Sequence, residues 1–360
     1  MGLLGPVFPL YMVHLGFAEG LVGAYLAVFS IVSIAVRPYF GGQADTGRMR
    51  RSLGLAGFLK TIGHVGYLTG NPWVILVSRG IHGIGWAGIN VVGSGWVAYL
   101  APASRRAEAI GYFSMLQRIG IALGPVVGLW LLHQYGFTPA FVVAAALSFC
   151  VMLSTAIATT PDRISEAPPP PTGHWIRKLI EPEAVQSAGL IVLNTVPSIA
   201  MFNFMSLYFD SSGLPGIEGY FAALGVVGIV CRGFIGQLAD RVGRRWGVVV
   251  GFAVQMVGLL VIAVSAEVVL ITVGGMIWVV GSALSQPALN AVAIDRALPN
   301  RRGMAMATFT MAFRIGDGAG SLAAGIIAER LGYLVLNWFS AIAAILGLGI
   351  AWAVTRRWES

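Results

Sequence analysis

The chain has 360 residues, of which 57% are hydrophobic, 11% are charged and 48 are glycine. This composition argues against a soluble globular enzyme and indicates a protein that crosses a membrane several times. The net charge of +8 is scattered between apolar runs and forms no basic patch with aromatic residues, so the expected partner is the lipid bilayer and not nucleic acid.

Apolar stretches long enough to cross a bilayer as helices follow one another along the chain. The predicted spans lie near 19–41, 52–70, 73–100, 107–132, 138–159, 184–209, 216–238, 246–265, 268–295, 303–329 and 333–355. A shorter apolar segment, "MGLLGPVFPLYMVH", opens the chain with about half of the ~20 residues that a crossing needs. The sequence therefore predicts an all-α membrane protein of twelve spans with a truncated first span.

One polar stretch, "PDRISEAPPPPTGHWIRKLIEPEAV", interrupts this apolar pattern. Its proline run, Pro168 to Pro171, cannot continue a helix. We therefore predict an N-terminal six-helix bundle at 1–160, a cytoplasmic linker at 161–183 and a C-terminal six-helix bundle at 184–360.

The two halves repeat each other in sequence. "RRAEAIGYFSMLQRIG" at 105–120 matches "RRGMAMATFTMAFRIG" at 301–316, which indicates two units in parallel orientation. Tyr11 matches Tyr208, yet fewer apolar residues precede Tyr11. From this mismatch we expect the first helix to lack about a dozen residues at its N-terminal end.

Basic residues alternate from one side of the membrane to the other. The loops after even-numbered spans carry nearly all of the loop arginines and lysines, among them Arg50, Arg105 and Arg302, whereas the opposite loops carry only Arg330. By the positive-inside rule, both termini are expected to be cytoplasmic.

Four basic residues within spans are candidates for substrate binding, because a cation at mid-bilayer costs ~3 kcal/mol and normally faces a cavity or a partner. They are Lys60, Arg79, Arg118 and Arg314. Arg118 and Arg314 occupy equivalent positions, about 18 Å along a helix from a cytoplasmic arginine. Both are therefore expected near the midplane, where transporters bind substrate.

Three other titratable residues lie in the spans. Asp317 is three residues from Arg314 on the same helical face, so it is either half of a neutralised structural pair or a proton site that competes with substrate or releases Arg314. His64 and His82 are either titrating groups or hydrogen-bonded packing residues.

Aromatic and amide side chains on the same spans either contact substrate or pack: Tyr11, Trp86, Asn90, Asn194, Asn203, Trp278, Gln286 and Asn290. The sequence has no phosphate-binding loop after a strand, no cluster of metal ligands and no nucleophile with a base. We therefore expect no cofactor, no metal and no enzymatic activity.

Four motifs resemble those of the major facilitator superfamily. "GQLADRVGRR" at 236–245 resembles its loop signature G-x-L-A-D-R-x-G-R-R, and "GGQADTGRMRR" at 41–51 is an altered copy. "RGIHGIGWA" at 79–87 resembles the fourth-helix motif R-x-x-Q-G, with His82 in place of glutamine. "GYFSMLQRIGIALGPVVG" at 111–128 resembles the fifth-helix antiporter motif, and "GPVFP" at 5–9 the end of the first helix.

The resemblance implies that the two loops act as gates that stabilise the cytoplasm-closed state. Glycine would let helices approach closely, and aspartate would accept hydrogen bonds from helix N-terminal amides; a loop that only sets topology is the alternative. Thr46 and Arg48 depart from the signature in the first copy, so we expect the intact gate in the C-terminal half. The gating residues are Gly41, Asp45, Gly236, Asp240, Arg241, Gly243, Arg244 and Arg245.

The antiporter-type motif consists of Gly111, Gly120, Gly124, Pro125 and Gly128. Small residues at four-residue spacing create a flat helix face, and a proline permits a kink. The resemblance implies that this face seals the two halves of an antiporter, whereas as a bare packing motif it would mean only a tight helix contact. Leu129 stands where a second glycine is common in the family.

Within the superfamily, the chain looks most similar to bacterial drug or sugar efflux permeases. This implies a monomeric secondary active transporter in the cell membrane that moves a small organic solute by alternating access, with proton-coupled efflux as the leading hypothesis. A transporter of a small anionic metabolite is the first alternative, favoured by the excess of cations in the spans. A degenerate, non-transporting membrane receptor is the second, suggested by the short first helix and the altered first loop.

Overall fold

The structure is a computed structural model. It describes residues 2–45, 48–102, 105–157, 180–298, 301–356 and 358. Most of the predicted linker, residues 161–179, lies outside these ranges, so the predicted domain boundaries stay a prediction.

The described residues form helices and short helical turns, with no strand among them. The helices are α1 (Leu4–His14), α2 (Glu19–Ala35), α3 (Arg37–Asp45), α4 (Met49–Gly66), α5 (Pro72–Leu100), α6 (Arg106–Tyr135), α7 (Phe137–Ile157), α8 (Val185–Ile199), α9 (Met205–Ser211), α10 (Ile217–Val242), α11 (Arg244–Val264), α12 (Val268–Arg296), α13 (Arg302–Leu331) and α14 (Tyr333–Arg356). Within the described ranges, eight helical segments are long and apolar enough to cross a membrane. The predicted all-α membrane fold is confirmed.

Two predicted spans are broken helices. The span at 19–41 divides into α2 and α3 at Val36, because Pro38 lacks an amide hydrogen and its ring clashes with the carbonyl four residues earlier. The span at 184–209 divides into α8, a π-helical turn at Ala200–Phe204 and α9. Pro197 lies one turn before this π-helical segment, and its missing amide hydrogen leaves the Leu193 carbonyl without its helical hydrogen bond.

The chain divides into two compact units. The first consists of residues 1–11 and 25–170, and the second of residues 12–24 and 171–360. In the first unit α4 packs against α5 and α7. A methyl group at Gly63 would lie 2.9 Å from the backbone nitrogen of His82, so glycine lets α4 and α5 approach at this point.

The second unit is built around α11 and α12, with α8 packed against α13 and α14. Glycines on both helices bring α11 and α12 close, since a methyl group at Gly274 would lie 2.7 Å from the carbonyl oxygen of Gly258. Residues 12–24 join this unit at its α13 side. There the Glu329 carboxylate accepts a hydrogen bond from the Gly20 backbone at 2.9 Å.

Candidate functional site

Two histidines predicted as candidates lie in contact inside the first unit. His64 of α4 and His82 of α5 have ring centroids 4.4 Å apart in an edge-to-face arrangement. His82 Nδ1 lies 3.0 Å from the Tyr67 hydroxyl, and His64 Nδ1 lies 3.1 Å from Ser148 Oγ of α7. Both histidines are buried. We call Tyr67, Arg79, His82, His64 and Ser148 the histidine cluster.

Arg79 brings a buried positive charge into this cluster. Its guanidinium carbon lies 4.3 Å from the centroid of the Phe8 ring and 5.0 Å from that of Phe29. Such contacts with aromatic faces stabilise a desolvated cation. None of the buried polar residues described in the first unit is a carboxylate.

Lys60 and Arg118 are the other two candidate cations of the first unit. Neither has a hydrogen-bond or ion-pair partner among the described residues. The next residue to Arg118, Gln117, donates a hydrogen bond to Asn90 of α5 at 3.1 Å. In the sequence repeat Ile121 stands where α13 has Asp317, so Arg118 lacks the carboxylate that its counterpart has.

Arg314 and Asp317 form a buried ion pair on α13, an arrangement that is consistent with both interpretations of Asp317. The distance from Arg314 Nη1 to Asp317 Oδ2 is 2.6 Å, and the two side chains are 10% and 11% exposed. The i, i+3 spacing places both groups on one face of the helix. Arg314 also lies over the ring of Phe313, 5.3 Å from its centroid.

Amide side chains form a buried network in the second unit. Asn194 of α8 donates to Gln255 Oε1 of α11 at 2.8 Å and to Ser285 Oγ of α12 at 2.9 Å. Ser198 accepts from Gln255 at 3.1 Å and from Trp278 at 3.3 Å. Three helices are thus tied together at one buried point.

Replacing Asn194 by alanine is expected to destabilise the protein by about 1–3 kcal/mol, because it leaves the buried Oε1 of Gln255 without a donor and removes the donor to Ser285 Oγ. Asn290→Ala is the matched control, since Asn290 lies on α12, is half-buried and has no hydrogen-bond partner among the described residues. Thermal unfolding in detergent measures the stability of both variants. Equal melting temperatures for the two variants would contradict the network's role.

The predicted gating residues Asp45, Gly236, Asp240 and Arg241 lie outside the part of the chain whose side chains are described. In the C-terminal copy Arg244 forms an ion pair with Asp295 of α12 at 3.2 Å. Gly243 has a φ of 85°, a left-handed conformation that glycine adopts without strain between α10 and α11.

Arg245 lies between two tryptophans of the second unit. Its guanidinium carbon is 5.3 Å from the ring centroids of both Trp246 and Trp352. The last arginines of the C-terminal motif thus hold α11 to α12 and α14.

The altered N-terminal copy shows a different arrangement. No described residue lies within 4 Å of a methyl group placed at Gly41, so the close helix contact predicted there is not seen. Arg50 instead donates from Nε and Nη2 to the carbonyls of Thr155 and Ala156, both at 2.8 Å. These carbonyls belong to the last described turn of α7. The shifted arginine therefore connects α4 with α7.

The glycines of the antiporter-type motif differ in their surroundings. Gly124 and Gly128 face the start of α1 inside the first unit, and the nearest atoms to an added methyl group belong to Gly2 and Leu3. No described atom lies within 4 Å of such a methyl group at Gly111 or Gly120. Pro125 lies within α6, which continues through it.

Sequence reasoning missed several partners of the predicted residues. Tyr67, Ser148, Ser198, Gln255 and Ser285 were not singled out. The sequence could have indicated Gln255, because the repeat places it at the position that Lys60 occupies in the first half. It could not have indicated the serines and Tyr67, since such residues are common on packed membrane helices.

Comparisons with known proteins agree with this architecture. The family model described as Major Facilitator Superfamily matches residues 1–241 and 221–359. The multidrug resistance protein MdtG of Citrobacter koseri is 25% identical over 382 aligned residues, covering 99% of this chain and 91% of the relative. The MFS-type transporter MJ1560 of Methanocaldococcus jannaschii is 23% identical, with 96% and 92% covered. A solved D-xylose-proton symporter has a TM-score of 0.77 at 16% identity, with 98% and 92% covered.

Proposed function

Because this chain belongs to the major facilitator superfamily, we propose that it is a secondary active transporter that exports a small organic compound in exchange for protons. The observation that carries the coupling is the buried Arg314–Asp317 pair. A carboxylate that neutralises a buried cation binds either that cation or a proton, so its protonation would release the positive charge of Arg314 toward the interior.

Alternating access provides the transport cycle. The N-terminal bundle at 1–160 and the C-terminal bundle at 184–360 would rock about a central site, joined by the linker at 161–183. In this proposal Arg118 and Arg314 contribute to the site from equivalent positions, both termini are cytoplasmic and the protein acts as a monomer. Export is supported by the likeness to a multidrug resistance protein.

Transport in proteoliposomes tests the proposal. With a panel of neutral, cationic and anionic organic compounds, we expect at least one compound to move against its concentration gradient when a pH gradient is imposed. A protonophore should abolish this movement while the vesicles stay sealed. Movement that persists with the pH gradient collapsed would contradict proton coupling.

A small anionic metabolite is the second candidate substrate. Lys60 and Arg118 carry positive charge without a described partner, and no carboxylate occurs among the buried residues described in the first unit. Cations of this kind favour the binding of anions. Movement of anions alone in the same panel would support this candidate, and binding without movement of any compound would favour the receptor alternative.

A further inference from the structure

Two arginines of the second unit lie against the ring of one tryptophan. The guanidinium carbon of Arg356 is 4.9 Å from the centroid of the Trp352 ring, and that of Arg245 is 5.3 Å from the same centroid. Trp246 packs edge-to-face against Trp352, with ring centroids 6.0 Å apart. We call these four residues of α11 and α14 the arginine–tryptophan cluster.

The cluster lies at the surface of the second unit, near the ends of its two helices. Trp246 is in the first turn of α11, and Trp352 is in the last turns of α14. The two tryptophans are 43% and 37% exposed, and Arg356 is also exposed. Tryptophan near the end of a membrane-spanning helix typically lies at the level of the lipid headgroups. The cluster is therefore expected at the membrane interface.

An exposed apolar strip runs from the cluster along both helices. On α14, Ile345 and Gly349 precede Trp352 at a spacing that places them on the same helical face. Ile345 is exposed, and no described atom lies within 4 Å of a methyl group placed at Gly349. On α11, Val250 lies one turn after Trp246 and is exposed. An exposed apolar strip on membrane-spanning helices faces the lipid chains.

The cluster also concentrates positive charge. Two guanidinium groups beside one ring repel each other, because both carry the same charge. Asp295 of α12 forms its ion pair with Arg244, and Arg356 has no ion-pair partner among the described residues. An anion beside Arg356 would offset the repulsion.

Arginine is suited to contact an aromatic ring and a phosphate at the same time. The face of its guanidinium stacks on the ring, while the N–H donors in its plane bind two oxygens of a phosphate. A phosphate that carries an apolar chain would match both the arginines and the apolar strip.

The equivalent helices of the first unit pack without such a cluster. The repeat places Arg50 of α4 at the position of Arg245. Ala156 of α7 stands at the position of Trp352. Arg50 directs two donors to the carbonyls of Thr155 and Ala156. A tryptophan pair is therefore not needed to pack these helices together, which indicates a second role for the tryptophans.

We propose that the arginine–tryptophan cluster binds the phosphate of an anionic glycerophospholipid, with an acyl chain of that lipid along the apolar strip. The predicted orientation places this end of the second unit on the cytoplasmic side, where anionic lipids give the membrane a negative surface potential. The bound lipid neutralises the arginines and holds α11 to α14. This site does not depend on the proposed transport cycle.

Native mass spectrometry of the full chain tests the site. The protein in detergent is titrated with phosphatidylglycerol or with phosphatidylcholine of the same acyl chains, and the fraction that carries one lipid gives a dissociation constant. We expect phosphatidylglycerol to bind about tenfold more tightly, because its charge is not balanced within the headgroup. Glycerol phosphate, which has the charged group without acyl chains, should bind more weakly than phosphatidylglycerol. Equal binding of the two lipids would contradict the proposal, and glycerol phosphate bound as tightly as phosphatidylglycerol would identify a site for soluble phosphates instead.

Three double variants separate this site from the general attraction of a basic surface. Arg245→Gln with Arg356→Gln should weaken phosphatidylglycerol binding about tenfold, because charged hydrogen bonds to the phosphate are lost. Arg105→Gln with Arg302→Gln removes the same charge from two other exposed arginines and should leave binding unchanged. Arg245→Lys with Arg356→Lys keeps the charge but loses the planar donor fork, so it should also bind more weakly, and it provides the test if the first variant does not fold. Equal binding by the two glutamine variants, or wild-type binding by the lysine variant, would overturn the proposal.

Discussion

Replacing Asp317 by asparagine is expected to lower the stability of the protein by about 3–5 kcal/mol. The substitution leaves the shape of the side chain nearly unchanged but removes the charge that faces Arg314 at 2.6 Å. An ion pair that is only about a tenth exposed has lost most of its hydration, so the remaining guanidinium would be a buried charge without its carboxylate. Thermal unfolding of the purified protein in detergent measures the loss.

An exposed pair with the same spacing is the control. Arg105 and Glu108 form an i, i+3 salt bridge at 3.2 Å, with side chains that are 72% and 46% exposed. Glu108→Gln is expected to change stability by less than about 1 kcal/mol, because water screens exposed pairs. If Asp317→Asn were as mild as Glu108→Gln, the charge of Arg314 would have to be balanced by other groups.

A double variant separates the two interpretations of the pair. Arg314→Met with Asp317→Leu removes both charges, and an apolar replacement of a buried ion pair is often neutral or stabilising. We expect this variant to fold with near wild-type stability. Transport that survives with its response to the pH gradient would show that the pair is structural and that Arg314 is not needed for substrate binding. Transport that continues without this response would show that Asp317 takes part in coupling.

The fold could be predicted from the sequence because its signals are long and redundant. Each apolar run of bilayer length became a helix or a broken helix, and the arginine-rich repeat at 105–120 and 301–316 begins α6 and α13 at equivalent residues. The breaks were harder to predict. Pro38 interrupts its span while Pro125 lies inside an unbroken α6, so the presence of a proline does not by itself decide between a kink and a break.

The partners of the candidate residues could not be predicted in the same way. Sequence places His64 and His82 at known heights on neighbouring helices, but their contact depends on the rotation of each helix about its axis. That rotation is set by packing, here by the close approach of α4 and α5 at Gly63. Asp317 was the exception, because its partner Arg314 lies on the same helix at a spacing that fixes the contact.

The repeat predicts equivalent positions but not equivalent chemistry. Lys60 and Gln255 occupy the same place in α4 and α11, each beside a glycine of the next helix, Gly85 and Gly281. Gln255 is fully engaged with Asn194 and Ser198, whereas Lys60 has no hydrogen-bond or ion-pair partner in the described part of the chain. In both units a glycine of the next helix packs against this position, but the side chain at the position differs.

Replacing Gly281 by alanine is expected to destabilise the second unit by about 1–3 kcal/mol, although alanine is the better helix former. The added methyl group would overlap the backbone nitrogen of Gln255 and lie 2.6 Å from the carbonyl oxygen of Gly251. Both are backbone atoms of α11, so relief requires the two helices to separate. Thermal unfolding in detergent again provides the measurement.

A glycine-to-alanine substitution at a position with open space should not lower stability. No described atom lies within 4 Å of a methyl group at Gly189 in α8, so Gly189→Ala is expected to leave stability unchanged or raise it by about 0.5–1 kcal/mol. Asn194 of α8 donates to Gln255 of α11 and to Ser285 of α12, so separation of α11 from α12 would stretch at least one of these bonds. The effects of Gly281→Ala and Asn194→Ala should therefore not add. Additive effects would mean that the glycine contact and the amide network are independent, and that the helix spacing does not position the polar groups.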